Sequence, residues 1–417
     1  MNRRAFLGRV TVGAAAASGP RLAAVSPQAK RIAAVVTQYT HNSHADVIVS
    51  RLLQTHTLDN QGPRPNLQLA SLYVDQMPAA DMSRRLAAEH GFKLCDTIGE
   101  ALLLGGKDLA VDGVMLIGEH GQYPESDTGQ TLYPRRRFFE ETISVFRDVG
   151  KTVPVFSDKH LSSNWNDAKW MYETARELKV PFMAGSSVPV TWRHPPLEMK
   201  LGALAREAVG LSFGPLEGYG FHGLEAMQCL IERRRGGETG VSAVQCLEGD
   251  EVWKACDAGR FDAKVFAAAA NAREAKNRIQ GELRDALKPA GFFVEYRDGF
   301  RAVLLHDVGA ANSEWVVAWS EKGREDFPCT VFWTQEARPL GHFTFLVEGI
   351  GKMFHTRAPT WPAERTLLTT GILAAIFQSR KDGGRRIETP HLAITYHPTF
   401  TWSEPPPPPP NRPLDGQ

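Results

Sequence analysis

The sequence predicts an α/β chain with a doubly wound, parallel sheet in its first half, followed by an α+β half built on a mostly antiparallel sheet. Three observations predict it. Between about Arg31 and Pro189, short β-rich runs alternate with helical patterns, the rhythm of parallel strands joined by crossover helices. Beyond Val190 the runs lengthen and alternate apolar with polar residues, as antiparallel strands with one covered face do. A chain of 417 residues is also longer than one hydrophobic core usually serves.

The elements follow in order. Arg31–Thr37 is the first strand and Ala45–Leu53 the helix after it; Leu69–Val74 is the second strand and Met82–His90 its helix. Val111–Gly118, the helix Phe138–Val149 and the strand Thr152–Phe156 continue the series. Ser163 or Asn164 caps the next helix, whose Ala168, Met171, Tyr172, Ala175 and Leu178 share one face. Pro181–Gly185 closes a Rossmann-like unit spanning 31–190. The second half, 191–403, is expected to hold strands at Val241–Leu247, Gly291–Asp307, Glu314–Ser320, Cys329–Thr334 and His342–Glu348. One face of that sheet is expected to be covered by helices His222–Arg234 and Ala363–Arg380. Its open face makes a homo-oligomer plausible. The stretch 404–417 contains Pro405–Pro410, a stiff polyproline run that reads as a disordered spacer.

The first 25 residues read as an export signal. Arg3-Arg4-Ala5-Phe6-Leu7 precedes an almost uncharged run from Val10 to Ala17 and small residues at Ala23-Ala24, the pattern of a twin-arginine signal that exports a folded chain. Periplasmic localisation is therefore expected. The apolar run is shorter than the roughly 20 residues that cross a bilayer, and no later segment qualifies. Lys and Arg total 48 against 47 Asp and Glu, so no global field recruits nucleic acid or an acidic membrane surface. Arg135-Arg136-Arg137 and Arg233-Arg234-Arg235 read as solvated helix faces. Five cysteines, Cys95, Cys229, Cys246, Cys256 and Cys329, form neither a disulfide framework nor a zinc cassette.

In a doubly wound sheet the ligand lies outside the carboxyl ends of the strands. Those ends are polar here: Gln38, Tyr39, His41, Asn42 and His44 follow the first strand, Asp75 the second, Glu119 and His120 the third, and Asp158, Lys159 and His160 the fourth. Their convergence makes a crevice of carboxylates, imidazoles and an ammonium.

Four segments resemble the Gfo/Idh/MocA oxidoreductases, the family of glucose-fructose oxidoreductase and inositol dehydrogenase. Gly150-Lys151-Thr152-Val153-Pro154-Val155-Phe156-Ser157-Asp158-Lys159-His160 is similar to the family's segment ending in Glu-Lys-Pro. Leu72-Tyr73-Val74-Asp75 is similar to its second-strand end, where an acid takes the nucleotide ribose, and Val111 to Ile117 is similar to its third strand. His222-Gly223-Leu224-Glu225 resembles its His-x-x-Asp, with Glu in place of Asp. The resemblance covers about Arg31 to Val190 well and the remainder loosely.

It implies hydride transfer between NAD or NADP and a small-molecule carbohydrate or cyclitol. Lys159 and His222 are the catalytic candidates it implies, with Glu225 one helical turn on to fix the His222 tautomer. The cofactor is expected along Thr37, Gln38, His41, Asp75, Glu119, His120 and Asp158. The chemistry is coherent: an imidazole takes a hydroxyl proton in the right pH range, and an ammonium steadies the alkoxide. The chain departs from the family at Thr37-Gln38-Tyr39-Thr40-His41-Asn42-Ser43-His44, which holds no glycine where a dinucleotide fingerprint needs Gly-x-Gly-x-x-Gly.

Two other readings use the same crevice. His41 and His44 with Glu119, His120, Asp158 or His160 offer ligands to zinc or manganese, although no compact ligand motif is present. A relative without catalysis would bind carbohydrate, with Trp253, Trp315, Trp319, Trp333, Trp361 and Trp402 available to stack on sugar rings.

Overall fold

The computed structural model describes residues 29–273, 284, 287–307, 314–335 and 337–407, so the predicted export signal and the last prolines lie outside the described residues. The first half forms six parallel strands: β1 (Lys30–Val36), β2 (Leu67–Val74), β3 (Lys93–Cys95), β4 (Gly113–Ile117), β5 (Val155–Asp158) and β6 (Phe182–Gly185). Their order is β3-β2-β1-β4-β5-β6. The order reverses between β1 and β4, and a crevice opens at that switch point. The apolar runs of β1 and β4 are buried on both faces, as a parallel sheet between two helical layers requires.

The helices are α1 (His44–Leu53), α2 (Ser83–His90), α3 (Ile98–Leu103), α4 (Arg135–Val149) and α5 (Trp165–Glu177). Ile98, Phe138, Ile143, Ala168 and Met171 of the last three pack one face of the sheet, while Val47, Ile48 and Leu86 pack the other. Caps set their starts: Ser43 accepts from the Asp46 amide ahead of α1, and Asn164 accepts from the Asn166 and Asp167 amides ahead of α5.

The second half contains β7 (Trp192–His194), β8 (Ala205–Phe213), α6 (Leu216–Ile231), β9 (Val241–Glu248), α7 (Asp250–Asp257) and α8 (Ala263–Ala272). It continues with β10 (Ala290–Tyr296), β11 (Arg301–Asp307), β12 (Trp315–Glu321), β13 (Cys329–Trp333), α9 (His342–Thr356), α10 (Ala363–Lys381) and β14 (Ile387–Glu388). Its strands form one sheet in the order β14-β9-β10-β11-β8-β12-β13-β7, antiparallel except where β8 runs parallel to β11. Helices α6 and α10 cover one face.

Several expectations are corrected. His342–Glu348 is the start of α9: Phe343, Leu346, Val347, Ile350, Met353 and Phe354 recur at helical spacing, and they pack onto the first sheet beside α1. Gly291–Asp307 is a hairpin of two strands, turned at Gly299 with φ 84°. The second face of the larger sheet is not open, because Val252, Trp253, Val265 and Phe266 of α7 and α8 pack on it; the basis for expecting an oligomer is removed with it. The arginine runs are not solvated faces either. Arg135 and Arg234 are almost fully buried, and Arg136, Arg137, Arg233 and Arg234 each pair with a carboxylate. Pro406 accepts a hydrogen bond from Trp192 Nε1 at 3.0 Å, so the proline run begins docked on the fold. All five cysteines are free.

Candidate active site

The ends of β1, β4 and β5 supply one wall of the crevice and α6 supplies the opposite one. Lys159 follows β5 with φ 66°, a left-handed conformation that is strained for a lysine. Its amide is held by Gly185 O at 3.1 Å. Gly185 itself cannot be replaced without a shift, since a Cβ there would lie 2.7 Å from Glu225 Oε2 and from Thr366 Oγ1. This backbone directs the Lys159 side chain to α6, where Nζ stands 2.8 Å from His222 Nε2. Both residues are buried.

The contact sets the tautomer of His222. An ammonium has no lone pair, so Nε2 accepts and the ring proton is on Nδ1. Nδ1 is 2.6 Å from Ser186 Oγ, which also accepts from the Val188 amide at 3.0 Å. Burial and the nearby Lys159 charge hold the His222 imidazole well below the ordinary histidine range, so it is neutral.

Glu225 does not touch the ring. It accepts from the hydroxyls of Thr369 at 2.7 Å and Thr366 at 3.2 Å, and burial pushes its carboxyl up. Ser186 takes the orienting place expected of Glu225, because Glu225 points away toward α10.

Glu119 lies on the other side of the ammonium, with Oε1 3.6 Å from Lys159 Nζ and Oε2 2.6 Å from Arg135 Nη2. Burial alone would raise its carboxyl; the Lys159 and Arg135 charges outweigh that and hold it well below the carboxylate range. His44 opens α1 and places Nδ1 2.6 Å from Asp158 Oδ2, an imidazole oriented by a buried carboxylate. His120, with φ 69°, places its ring 5.5 Å from the His44 ring, tilted by 47°. Tyr219, one turn before His222 on α6, and Trp315 on β12 complete the far wall, their rings 5.5 Å apart. The cavity so enclosed is about 380 Å³, at the small end of the range for ligand pockets.

The structure thus brings together Lys159, His222, Glu119 and His120 of the predicted residues, with Asp158 behind His44. It does not bring in the others. Thr37 is fully buried, its hydroxyl spent on Glu119 O at 2.5 Å. Gln38 faces Gln76, and His41 is exposed on the solvent side. Asp75 accepts from Tyr73 and Tyr123 at 2.8 Å each and pairs with Arg137. Ser186, Tyr219 and Arg135 were missed. Ser186 follows the last parallel strand, and Tyr219 shares the His222 face of α6, so both obey rules already used for the others.

Among the described residues no group of three or more His, Cys, Asp or Glu side chains is arranged to hold a metal ion. His44 is committed to Asp158, and His160 meets Arg135 at 3.0 Å. Of the six tryptophans named for sugar stacking, only Trp315 lines this cavity; all six are buried among core residues.

A dinucleotide requires the turn between β1 and α1 to admit a pyrophosphate. The residues present do not fit one there. Tyr39 is fully buried with its hydroxyl 2.8 Å from Ser50 Oγ, and a buried carboxylate, Asp46, occupies the first turn of α1. Asp75, the implied ribose acid, is likewise saturated by its own neighbours.

No family model matches the sequence, and no curated protein matches it at significant similarity. Solved structures do match. GenD2 from gentamicin A biosynthesis, in complex with NAD, superposes with a TM-score of 0.55 at 13% identity, over 89% of this chain and 99% of that one. A probable dehydrogenase from Thermotoga maritima gives 0.55 at 12% identity, over 87% and 99%. Apo scyllo-inositol dehydrogenase from Lactobacillus casei gives 0.55 at 10% identity, over 87% and 98%. At such identities the likeness is one of fold: a parallel six-stranded domain joined to a larger, mostly antiparallel sheet.

Proposed function

We propose that this chain is an oxidoreductase acting on a hydroxyl-bearing carbon of a sugar or cyclitol, with Lys159 and His222 on the reacting hydroxyl. The observation that carries the reading is the buried 2.8 Å contact between Lys159 Nζ and His222 Nε2, at the strand ends of this fold. A hydroxyl entering between the two, and taking the place of the Lys159 N–H on Nε2, meets the one lone pair of a neutral imidazole and a fixed ammonium. The first takes its proton and the second steadies the oxygen left behind. Trp315 and Tyr219 offer apolar ring faces, Glu119 and His44 offer hydrogen bonds, and the cavity suits one small ring.

NAD or NADP is the hydride acceptor that the likeness to NAD-bound GenD2 brings to this reading. The β1–α1 turn does not fit its pyrophosphate, and that observation favours a second reading: a carbohydrate-binding protein of the same fold without turnover. One experiment separates them. Purified protein is denatured and any released nucleotide identified by mass spectrometry, while native protein is titrated with a panel of sugars and cyclitols by calorimetry. Nucleotide release, or turnover on adding NAD or NADP, supports the oxidoreductase. Sugar binding with no nucleotide and no turnover supports the second reading, and a cleft that binds no member of the panel sinks both.

Export of the folded chain by the twin-arginine route belongs to the same proposal, on Arg3 and Arg4. Fractionation of cells should find the protein outside the cytoplasm and the Arg3→Lys, Arg4→Lys double variant retained inside.

A further inference from the structure

The turn after β1 is the one part of this fold where a dinucleotide's charge is normally met by free backbone amides at a helix start. Here several of those amides are already used. Thr40 N donates to Ser43 Oγ at 3.2 Å, Asn42 N to Asp46 Oδ2 at 2.9 Å, and Asp46 N to Ser43 Oγ at 3.3 Å. Ser43 N donates to Thr40 O at 3.0 Å and Val47 N to Ser43 O at 2.9 Å.

The negative charge that a helix start favours is also present already. It is the Asp46 carboxylate, 1% exposed, which accepts from Ser50 Oγ at 2.6 Å on one oxygen and from Arg338 Nη1 at 2.7 Å on the other. Burial would raise this carboxyl, and the bonds from Arg338, Ser50 and the Asn42 amide bring it below its ordinary value instead, so it is ionised.

Arg338 belongs to the segment that leads into α9, and that segment is fastened to α1 a second time. Arg51, fully buried, donates to Pro339 O at 2.5 Å and to Leu340 O at 2.8 Å. Leu340, His342 and Phe343 then form part of the cavity wall.

We propose that the anion seat at the start of α1 is occupied permanently by the chain itself, through Asp46 and the Arg338–His342 segment, and takes no dinucleotide. The seat has become an internal joint that closes the cavity down to the size of a single small ring. A pyrophosphate brought to the turn would meet a buried anion and find the Thr40, Asn42, Ser43 and Asp46 amides engaged. This inference rests on residues separate from Lys159 and His222; with no dinucleotide in the seat those two can still hold a sugar hydroxyl, but its oxidation has no hydride acceptor there.

The test uses the folded, purified chain, with native mass spectrometry and fluorescence titration by NADH and NADPH up to about 1 mM. It is repeated on His41→Trp, which adds bulk to the turn at an exposed side chain; it gives up the 3.8 Å contact of His41 Nδ1 with Asp46 and leaves the bonds to Asp46 from Arg338, Ser50 and the Asn42 amide in place. The expected result is no nucleotide adduct and no saturable binding, which supports the closed seat, leaves the proposed hydride transfer without its acceptor, and so favours the carbohydrate-binding reading. Saturable binding that His41→Trp leaves unchanged places the nucleotide outside the turn; the closed seat then stands, and the oxidoreductase reading stands with it. One-to-one binding that His41→Trp weakens tenfold or more overturns the inference.

Discussion

Lys159 Nζ stands 2.8 Å from His222 Nε2, joining the end of the parallel sheet to the first helix of the larger sheet's layer. Each partner depends on the other. Burial and then the ammonium hold the imidazole neutral, and the imidazole receives a buried cation whose carboxylate partner among the described residues, Glu119 Oε1, is 3.6 Å away. An uncharged base beside a charged donor is the arrangement that hydroxyl-proton chemistry requires.

Removing either partner should therefore stop chemistry before it harms the fold. Lys159→Met and His222→Ala are each expected to lower turnover by about 10²–10⁴-fold, with far-ultraviolet circular dichroism unchanged. Because His222 is held well below the ordinary histidine range, wild-type turnover should show no acid limb at the usual histidine pKa near 6.5. A limb at that position would show that a solvated histidine, not His222, takes the proton.

Ser186 positions the ring without touching a substrate. Ser186→Ala leaves His222 Nδ1–H and the Val188 amide without their acceptor, at a cost of about 1–3 kcal/mol. The reacting proton is taken at Nε2, so the loss should appear in kcat with KM little changed, and Ser186→Thr should restore part of it. A variant that changes KM alone would assign Ser186 to substrate binding instead.

Buried neutral histidines also set the pH dependence of stability. His342 is brought down to about 3 by burial and then by the Arg51 charge, and His160 and His222 are lowered by burial too. The unfolded chain protonates each near 6.5. Below that value the unfolded state binds more protons than the native state, so stability rises with pH there and is fully present above about 6.5. The melting temperature should be level from about pH 8 to 6.5 and fall steadily toward pH 4. A melting temperature that is unchanged down to pH 5 would mean that these imidazoles are charged in the native state.

The strand-and-helix rhythm was legible at β1, β2, β4, β5 and β6, which are largely apolar runs joined to helices with a cap or a periodic face, while β3, only Lys-Leu-Cys, and the six-residue α3 were not legible. The strand β8 was not: its leading Ala-Arg-Glu-Ala has little β propensity, and it becomes a strand because β11 and β12 flank it. The start of α9 misled because a short apolar run fits a strand or a helix until its full length is counted. Lys159 and His222 were legible through motifs, since each lies in a local pattern. The closed seat was only half legible. The missing glycines announced that something had changed, while the partner that fills the space, Arg338, stands 292 positions from Asp46, and no local pattern connects them.

A second long-range pair fixes the far end of the helix that carries His222. Glu232, the residue that caps α6, and Arg365 on α10 are 0% and 1% exposed, so this ion pair is wholly inside the protein. Arg365 Nε donates to Glu232 Oε2 at 2.8 Å, Nη2 donates to Oε1, and Tyr396 OH adds a third bond at 2.8 Å. The three bonds satisfy a carboxylate that water cannot reach. Arg365→Met strands that carboxylate and should destabilise the chain by about 3–5 kcal/mol in urea melts. The double variant Glu232→Leu, Arg365→Met removes both charges and takes from the Tyr396 hydroxyl its acceptor while leaving the bond it receives from Gln228 Nε2 at 3.1 Å, so it should recover most of the loss. Equal losses in the single and double variants would mean that packing between α6 and α10, and not the buried charge, holds the His222 helix in place.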